Sequence, residues 1–139
     1  MAKIGFVFVS HSELITRGLR DLVNEMNDGA ADGSVPVLSA GGTGDGRIGT
    51  NPVIIQEALE SLEDCDHILV YADLGSSILS TNMALDEISD ENEELAEKIR
   101  IVDCPMVEGA LAGVVQANIT DDVEEVIAVS MSVKDQNKV

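Results

Sequence analysis

Apolar residues along the chain alternate between short unbroken runs and longer stretches in which they recur every three or four positions. Ile4-Gly5-Phe6-Val7-Phe8-Val9 is a run of the first kind, as expected of a strand covered on both faces in a parallel sheet. After Ser10-His11-Ser12, the residues Leu14, Ile15, Gly18, Leu19, Leu22, Val23 and Met26 follow helical spacing and predict a helix laying one apolar stripe on the sheet. Ser10-His11-Ser12-Glu13 reads as a capping box, and with Ser10 as the cap His11 falls in the first turn, beside free backbone N–H groups.

The alternation continues. A turn is expected at Gly29-Ala30-Ala31-Asp32-Gly33, then a short β-rich segment from Val35 to Ala40 whose Pro36 suits an edge strand. A glycine-dense loop from Gly41 to Gly49 leads to Asn51 as cap and Pro52 as first residue of a second helix, with Val53, Ile54, Ala58, Leu59 and Leu62 as its buried stripe. His67 to Ala72 predicts a third strand, followed after Asp73-Leu74-Gly75-Ser76-Ser77 by a helix that buries Ile78, Leu79, Asn82, Leu85 and Ile88. The acidic run from Asp86 to Glu97 reads as a solvated helical face with a break near Ser89-Asp90. Ile99 to Asp103 is a fourth strand, and Val107 to Asn118 a helix with Leu111, Val114 and Val115 inward. Its small residues Ala110, Ala112, Gly113 and Ala117 favour close approach to a neighbour, within the chain or across a dimer. Thr120 or Asp121 is expected to cap a last helix through Val123, Val126 and Ile127, with fraying after Met131.

Four strand-to-helix alternations imply an α/β fold: an open, mainly parallel sheet of about four strands with helices on both faces. In such a sheet, ligands bind beyond the carboxyl ends of the strands, near the switch in strand order. The loops that begin at Ser10, Gly41, Asp73 and Cys104 all belong to that edge. His11, the glycine loop and Asp73 are therefore expected to converge.

Length and charge narrow the possibilities. The chain of 139 residues is expected to form a single domain over 1–139. Its 26 acidic residues against 8 Lys and Arg give a net charge of −18, which excludes general attraction to nucleic acid or to an anionic membrane. Such a surface fits a halophilic cytosol, where concentrated salt screens self-repulsion. With no Trp, one Tyr and two Phe, base-stacking platforms are not expected. Neither a signal peptide nor a membrane-spanning run is evident, so a cytoplasmic location is expected. Cys65 and Cys104 are read as reduced structural thiols, and His11 and His67 are not spaced as metal ligands. His67, at the other end of its strand, is read as structural.

A histidine after the first strand suits three known uses of that position to different degrees. A flavodoxin would place a hydroxyl- and glycine-rich phosphate loop there, with aromatics around its flavin. A response-regulator receiver would need an acidic pair there, and only Asp73 fits its template. A phosphohistidine carrier fits best, because a neutral imidazole is nucleophilic at cytosolic pH and Asp73 is placed to orient its second nitrogen. Phosphoryl transfer is mainly positioning and charge stabilisation, which backbone N–H groups near His11 and Ser12 and along Gly41, Gly42 and Thr43 could provide without a cluster of cations.

The segments Val7-Phe8-Val9-Ser10-His11-Ser12, Ala40-Gly41-Gly42-Thr43 through Ile48-Gly49-Thr50, Val70-Tyr71-Ala72-Asp73-Leu74-Gly75-Ser76 and Pro105-Met106-Val107-Glu108-Gly109-Ala110 occur in that order. Over nearly its whole length the chain thereby resembles the DhaM family, the phosphotransfer subunits of phosphoenolpyruvate-dependent dihydroxyacetone kinase. These are related to the mannose-class enzyme IIA domains of the sugar phosphotransferase system, which have a flavodoxin-like arrangement. The resemblance implies that His11 is the phosphorylated residue and Asp73 the acidic residue of its site. It implies further that phospho-HPr is the donor and that ADP held on the subunit DhaL is the acceptor, with DhaK carrying dihydroxyacetone, in glycerol metabolism. A homodimer without cofactor or metal is expected, with carriers that some relatives fuse behind this domain being separate proteins. Arg47 lies in a variable part of the glycine loop and is considered as a phosphate ligand. Two alternatives stand beside this reading: a mannose-class enzyme IIA that passes phosphate to a sugar-specific enzyme IIB, and a non-catalytic ligand-binding module of the same fold.

Overall fold

Four strands pair in parallel, and each is followed by helix. The computed structural model describes residues 4–27 and 35–139. In chain order these contain β1 (Ile4–Val9), α1 (Glu13–Met26), β2 (Val37–Ser39), α2 (Pro52–Glu60), β3 (His67–Ala72), α3 (Gly75–Glu91), α4 (Glu93–Glu97), β4 (Ile99–Ile101), α5 (Met106–Ala117) and α6 (Val123–Ser132). The strand order is β2-β1-β3-β4. β1 and β3 pair along their full length, from Ile4 opposite His67 to Val9 opposite Ala72, whereas β2 and β4 each contribute three residues. The turn expected at 29–33 lies outside the described residues.

Alternate residues of the central strands feed two cores, as a sheet covered on both sides requires. Phe6, Phe8, Leu69 and Tyr71 pack against Leu19 and Val23 of α1, Ala110 and Val114 of α5 and Val126 of α6. Val7, Val9, Ile68 and Val70 pack against Ile55 and Leu59 of α2, Ala84 and Ile88 of α3 and Leu95 of α4. Each such large side chain, fully buried, stabilises the fold by about 1.5–3 kcal/mol before conformational entropy is counted. Both phenylalanines and the tyrosine meet in the first core: the Tyr71 ring stacks on Phe6 and stands edge-on to Phe8.

Several expectations need correction. α1 starts two residues later than the capping box implied, because Ser12 is its cap and accepts a hydrogen bond from Ile15 N. His11 therefore precedes the helix. Ser10, the expected cap, instead directs its hydroxyl to Asp73. The buried stripe of α1 is the narrow Thr16-Leu19-Val23 row, and Leu14, Ile15, Leu22 and Met26 are exposed. Thr16 takes its place inside by bonding Ser39 and the Gly41 amide. In α2, Ile55 and Leu59 are fully buried, Ile54 and Ala58 pack against the same core and Leu62 enters it just past the helix, while Val53 faces outward.

α3 is likewise rotated from the expected face. It buries Ser77, Thr81, Ala84 and Ile88, whereas Leu79 and Met83 are exposed. Ser77 is drawn in by polar partners beside Asp73, and Thr81 satisfies its own hydroxyl by donating to the Ser77 carbonyl. The helix breaks at Asn92, which caps α4, rather than at Ser89-Asp90. In α5, Val115 is exposed, and the close approach allowed by Ala110 and Gly113 is used within the chain, against the sheet and α6. Asp122 caps α6, with Thr120 bonding the Asp122 amide just before it. The chain past Met131 continues as helix to Ser132 and a 3-10 turn over Val133–Asp135. Ion pairs of Lys134 with Asp103 and of Lys138 with Glu108 hold that end against the start of α5.

Two expectations follow for stability. A Cβ on Gly113 would collide with Tyr71 Oη and Ser130 Oγ, which bond each other at 2.7 Å deep in the core. Overpacking costs about 1–3 kcal/mol and outweighs the helix-propensity gain of about 1 kcal/mol, so Gly113→Ala should lower the urea midpoint; an unchanged or higher midpoint would contradict this packing. The net charge of −18 should also make the fold tighter in molar salt than in dilute buffer. Thermal melts across that range should rise with salt, and a flat profile would remove the self-repulsion argument.

Candidate functional site

β1 and β3 lie side by side, but the chain leaves β1 toward β2 on one flank and returns to β4 by way of β3 on the other. The loops after them therefore diverge and leave a crevice at the carboxyl edge. Ser10 and His11 follow β1 on one side of it, and Asp73 and Leu74 follow β3 on the other. The Asp73 amide donates to the Val9 carbonyl, which extends the sheet pairing to the rim of the crevice.

His11 and Asp73 meet there. The ring nitrogen Nδ1 of His11 lies 3.4 Å from both carboxylate oxygens of Asp73 and 3.2 Å from Ser77 Oγ. Its other nitrogen, Nε2, touches the hydroxyl of Ser76. The two side chains are 24% and 18% exposed, so the pair is sheltered but open to an approaching group. Asp73 accepts further hydrogen bonds from Ser77 Oγ at 2.6 Å, Ser10 Oγ at 2.8 Å, Leu74 N at 2.8 Å and His11 N at 3.3 Å. Burial pushes the Asp73 carboxyl upward, but the donors, led by the Ser77 and Ser10 hydroxyls, outweigh it and hold the group below the usual carboxylate range. Asp73 thus presents a fixed negative charge to the imidazole at neutral pH.

The glycine loop packs beside this pair, with its amides turned to other work. Gly41 N donates to Thr16 Oγ1, Gly42 N to the Ser10 carbonyl and Gly49 N to the His11 carbonyl. Ser12 N donates to Ser10 Oγ, and Ser12 Oγ caps α1. The loop thereby clamps the backbone on either side of His11. Gly42, Gly44, Gly46 and Gly49 all have positive φ, and Gly42 in addition passes close to Glu13. Thr43 bonds Asp45, and Arg47 pairs with Asp45 at 2.7 Å. Hydrogen bonds from Arg47 and then Thr43 hold the Asp45 carboxyl down to about 2. Thr43, Arg47, Ile48, Ser12 and Leu14 line a cavity of about 250 Å³ next to the site. His67 starts β3 at the opposite edge of the sheet.

Ser76 and Ser77, not assigned to the site from the sequence, both reach the imidazole. No side chain caps α3, whose N-cap is Leu74. The leading N–H groups of this 17-residue helix, with the positive end of its dipole, thus open at the site beside Nε2. The signal lay in the spacing: a hydroxyl four residues after Asp73, on the first turn of a helix, returns to the same side as the carboxylate.

The chain belongs to the EIIA-man family, described as the PTS system fructose IIA component, whose model matches residues 5–127. Among relatives, it is 40% identical over 124 residues to the phosphoryl donor subunit DhaM of PEP-dependent dihydroxyacetone kinase 2 of Listeria innocua, covering 89% of this chain and 94% of that one. It is 37% identical over 126 residues to the DhaM phosphoryl donor subunit of Escherichia coli, covering 89% of this chain but 25% of that longer protein. The crystal structure of a protein of unknown function, EF1359, superimposes with a TM-score of 0.83 at 32% identity and 95% coverage of both chains. Among the described residues no helix is long and apolar enough to cross a membrane.

The depressed Asp73 carboxyl has a consequence for stability. A carboxyl whose folded pKa lies below its unfolded value stabilises the fold fully above the ordinary carboxylate range, and that contribution disappears as pH falls through the folded value. Asp73→Asn should therefore destabilise the protein at pH 7 and progressively less below pH about 4. Chemical denaturation of both forms across that interval measures it; an equal penalty at both ends would mean that the carboxylate charge is not what the four donors hold.

Proposed function

We propose that this chain is a phosphoryl donor subunit of a phosphoenolpyruvate-dependent dihydroxyacetone kinase and works through phosphorylation of His11 on Nε2. The observation that carries the proposal is the placement of Nδ1 against Asp73 and Ser77, which leaves Nε2, held only by the exposed Ser76 hydroxyl, as the nitrogen for a reaction partner. Relatives of nearly the same length named as phosphoryl donor subunits support the same reading.

In the reaction so read, the Nε2 lone pair attacks the phosphorus of a phosphohistidine on the donor protein, phospho-HPr. The Nε2–P bond forms as the donor's N–P bond breaks, and the donor ring, protonated on its other nitrogen, takes back the electron pair and leaves as a neutral imidazole. His11 keeps its proton on Nδ1, and the positive charge that appears on its ring faces the Asp73 carboxylate. Ser76 bonds Nε2 in the resting protein; on transfer its hydroxyl turns to an incoming phosphoryl oxygen, alongside the open amides of α3. The amides of Ser12, Gly41 and Gly42 are committed within the protein, so their part is to fix His11, and Thr43, with Arg47 and Ile48 of the same loop, lines the adjacent cavity. The phosphoryl group then passes to ADP held on DhaL, which phosphorylates the dihydroxyacetone held on DhaK. A cytoplasmic homodimer is the proposed working form.

The family description as a fructose IIA component supports a second acceptor, a sugar-specific enzyme IIB. Incubation with phosphoenolpyruvate, enzyme I and HPr should place an acid-labile, alkali-stable label on the protein, and His11→Ala should reduce it to background without unfolding the chain. Label persisting in that variant, or absent from the wild type, overturns the proposal. Discharge by DhaL–ADP rather than by enzyme IIB decides the acceptor.

A further inference from the structure

Ser77 occupies a place that a helix cap would not need. It is fully buried, and its single hydroxyl lies between Asp73 Oδ1 at 2.6 Å and His11 Nδ1 at 3.2 Å. One hydroxyl hydrogen has to choose between them. An ionised carboxylate only accepts, and the contact to it is the shorter, so the hydrogen goes to Asp73. A lone pair of Ser77 Oγ then faces Nδ1. That nitrogen is surrounded by three acceptors, Oδ1 and Oδ2 of Asp73 and Oγ of Ser77, and only a protonated Nδ1 satisfies them.

We infer that Ser77 is a positioning residue that selects the Nδ1–H tautomer of His11 and so leaves the Nε2 lone pair for chemistry. The inference rests on the reading of His11 as the reacting residue, and it adds the group that prepares the ring. Asp73 at 3.4 Å makes two long contacts that by themselves hold the ring loosely, and Ser77 supplies the nearest of the three oxygens. The same hydroxyl fixes the carboxylate in place, so one side chain orders both members of the pair. Thr81 in turn anchors the Ser77 carbonyl one turn along α3. This explains why α3 turns a row of hydroxyls, rather than Ile78 and Leu79, toward the sheet.

The tautomer is read directly from long-range 1H–15N spectra of protein labelled at histidine, recorded on the neutral ring and without any phosphoryl donor. In the wild type the Nδ1–H form of His11 should predominate. Ser77→Ala should shift the ratio toward Nε2–H by roughly threefold to tenfold, the size expected for one hydrogen bond, and slow labelling from phospho-HPr in parallel. A merely structural serine would lower stability with the ratio unchanged, and that result, or a wild type dominated by Nε2–H, overturns the inference. Should alanine fail to fold, Ser77→Cys keeps the bulk with a weak hydrogen-bonding group and should shift the ratio in the same direction. Because the spectra need no phosphorylation, failure of His11 to accept a phosphoryl group would sink the proposed function while leaving this reading standing.

Discussion

Asp73 collects donors from both sides of the crevice: Ser10 and the His11 amide from the loop after β1, Leu74 and Ser77 from the start of α3. The gap between the two central strands is thus closed by one carboxylate, and the histidine is fixed relative to it through both backbone and ring. If this anchor is removed, two buried hydroxyls, two backbone amides and an imidazole lose a common partner at once. Polar groups tied into a network of this kind stand or fall together.

The chain's acidity makes this arrangement informative. With 26 acidic residues and 8 Lys and Arg, few cations are available to any anionic ligand, and Arg47 is engaged by Asp45. Positive potential at the site comes instead from the uncapped end of α3. A dipole of this sort adds no net charge and is supplied by backbone alone, so it is compatible with a surface that is otherwise strongly negative.

The architecture was legible where burial decided the pattern. Unbroken apolar runs at Ile4–Val9 and His67–Ala72 specified the central strands, and Asn51-Pro52 marked the start of α2. His11 and Asp73 could be brought together from strand ends alone. The helix faces were less legible, because apolar periodicity takes the largest side chains as the buried ones. In α1 and α3 the inward rows join Thr16, Ser77 and Thr81 to Leu19, Val23, Ala84 and Ile88, since polar contacts near the site override hydrophobicity there. The direction of the glycine-loop amides was likewise hidden. Composition reveals that a loop is rich in glycine, but only three-dimensional pairing reveals that Gly41 and Gly42 bond Thr16 and Ser10.

β1 and β3 share six residue pairs, whereas each flank of the sheet adds three. Local opening begins where few hydrogen bonds are lost, so thermal fluctuations concentrate in β2 and β4. The imidazole and its carboxylate hang from the two strands that are last to separate. The periphery can breathe while the imidazole keeps its place against the carboxylate, a division of labour between a stiff keel and looser planking.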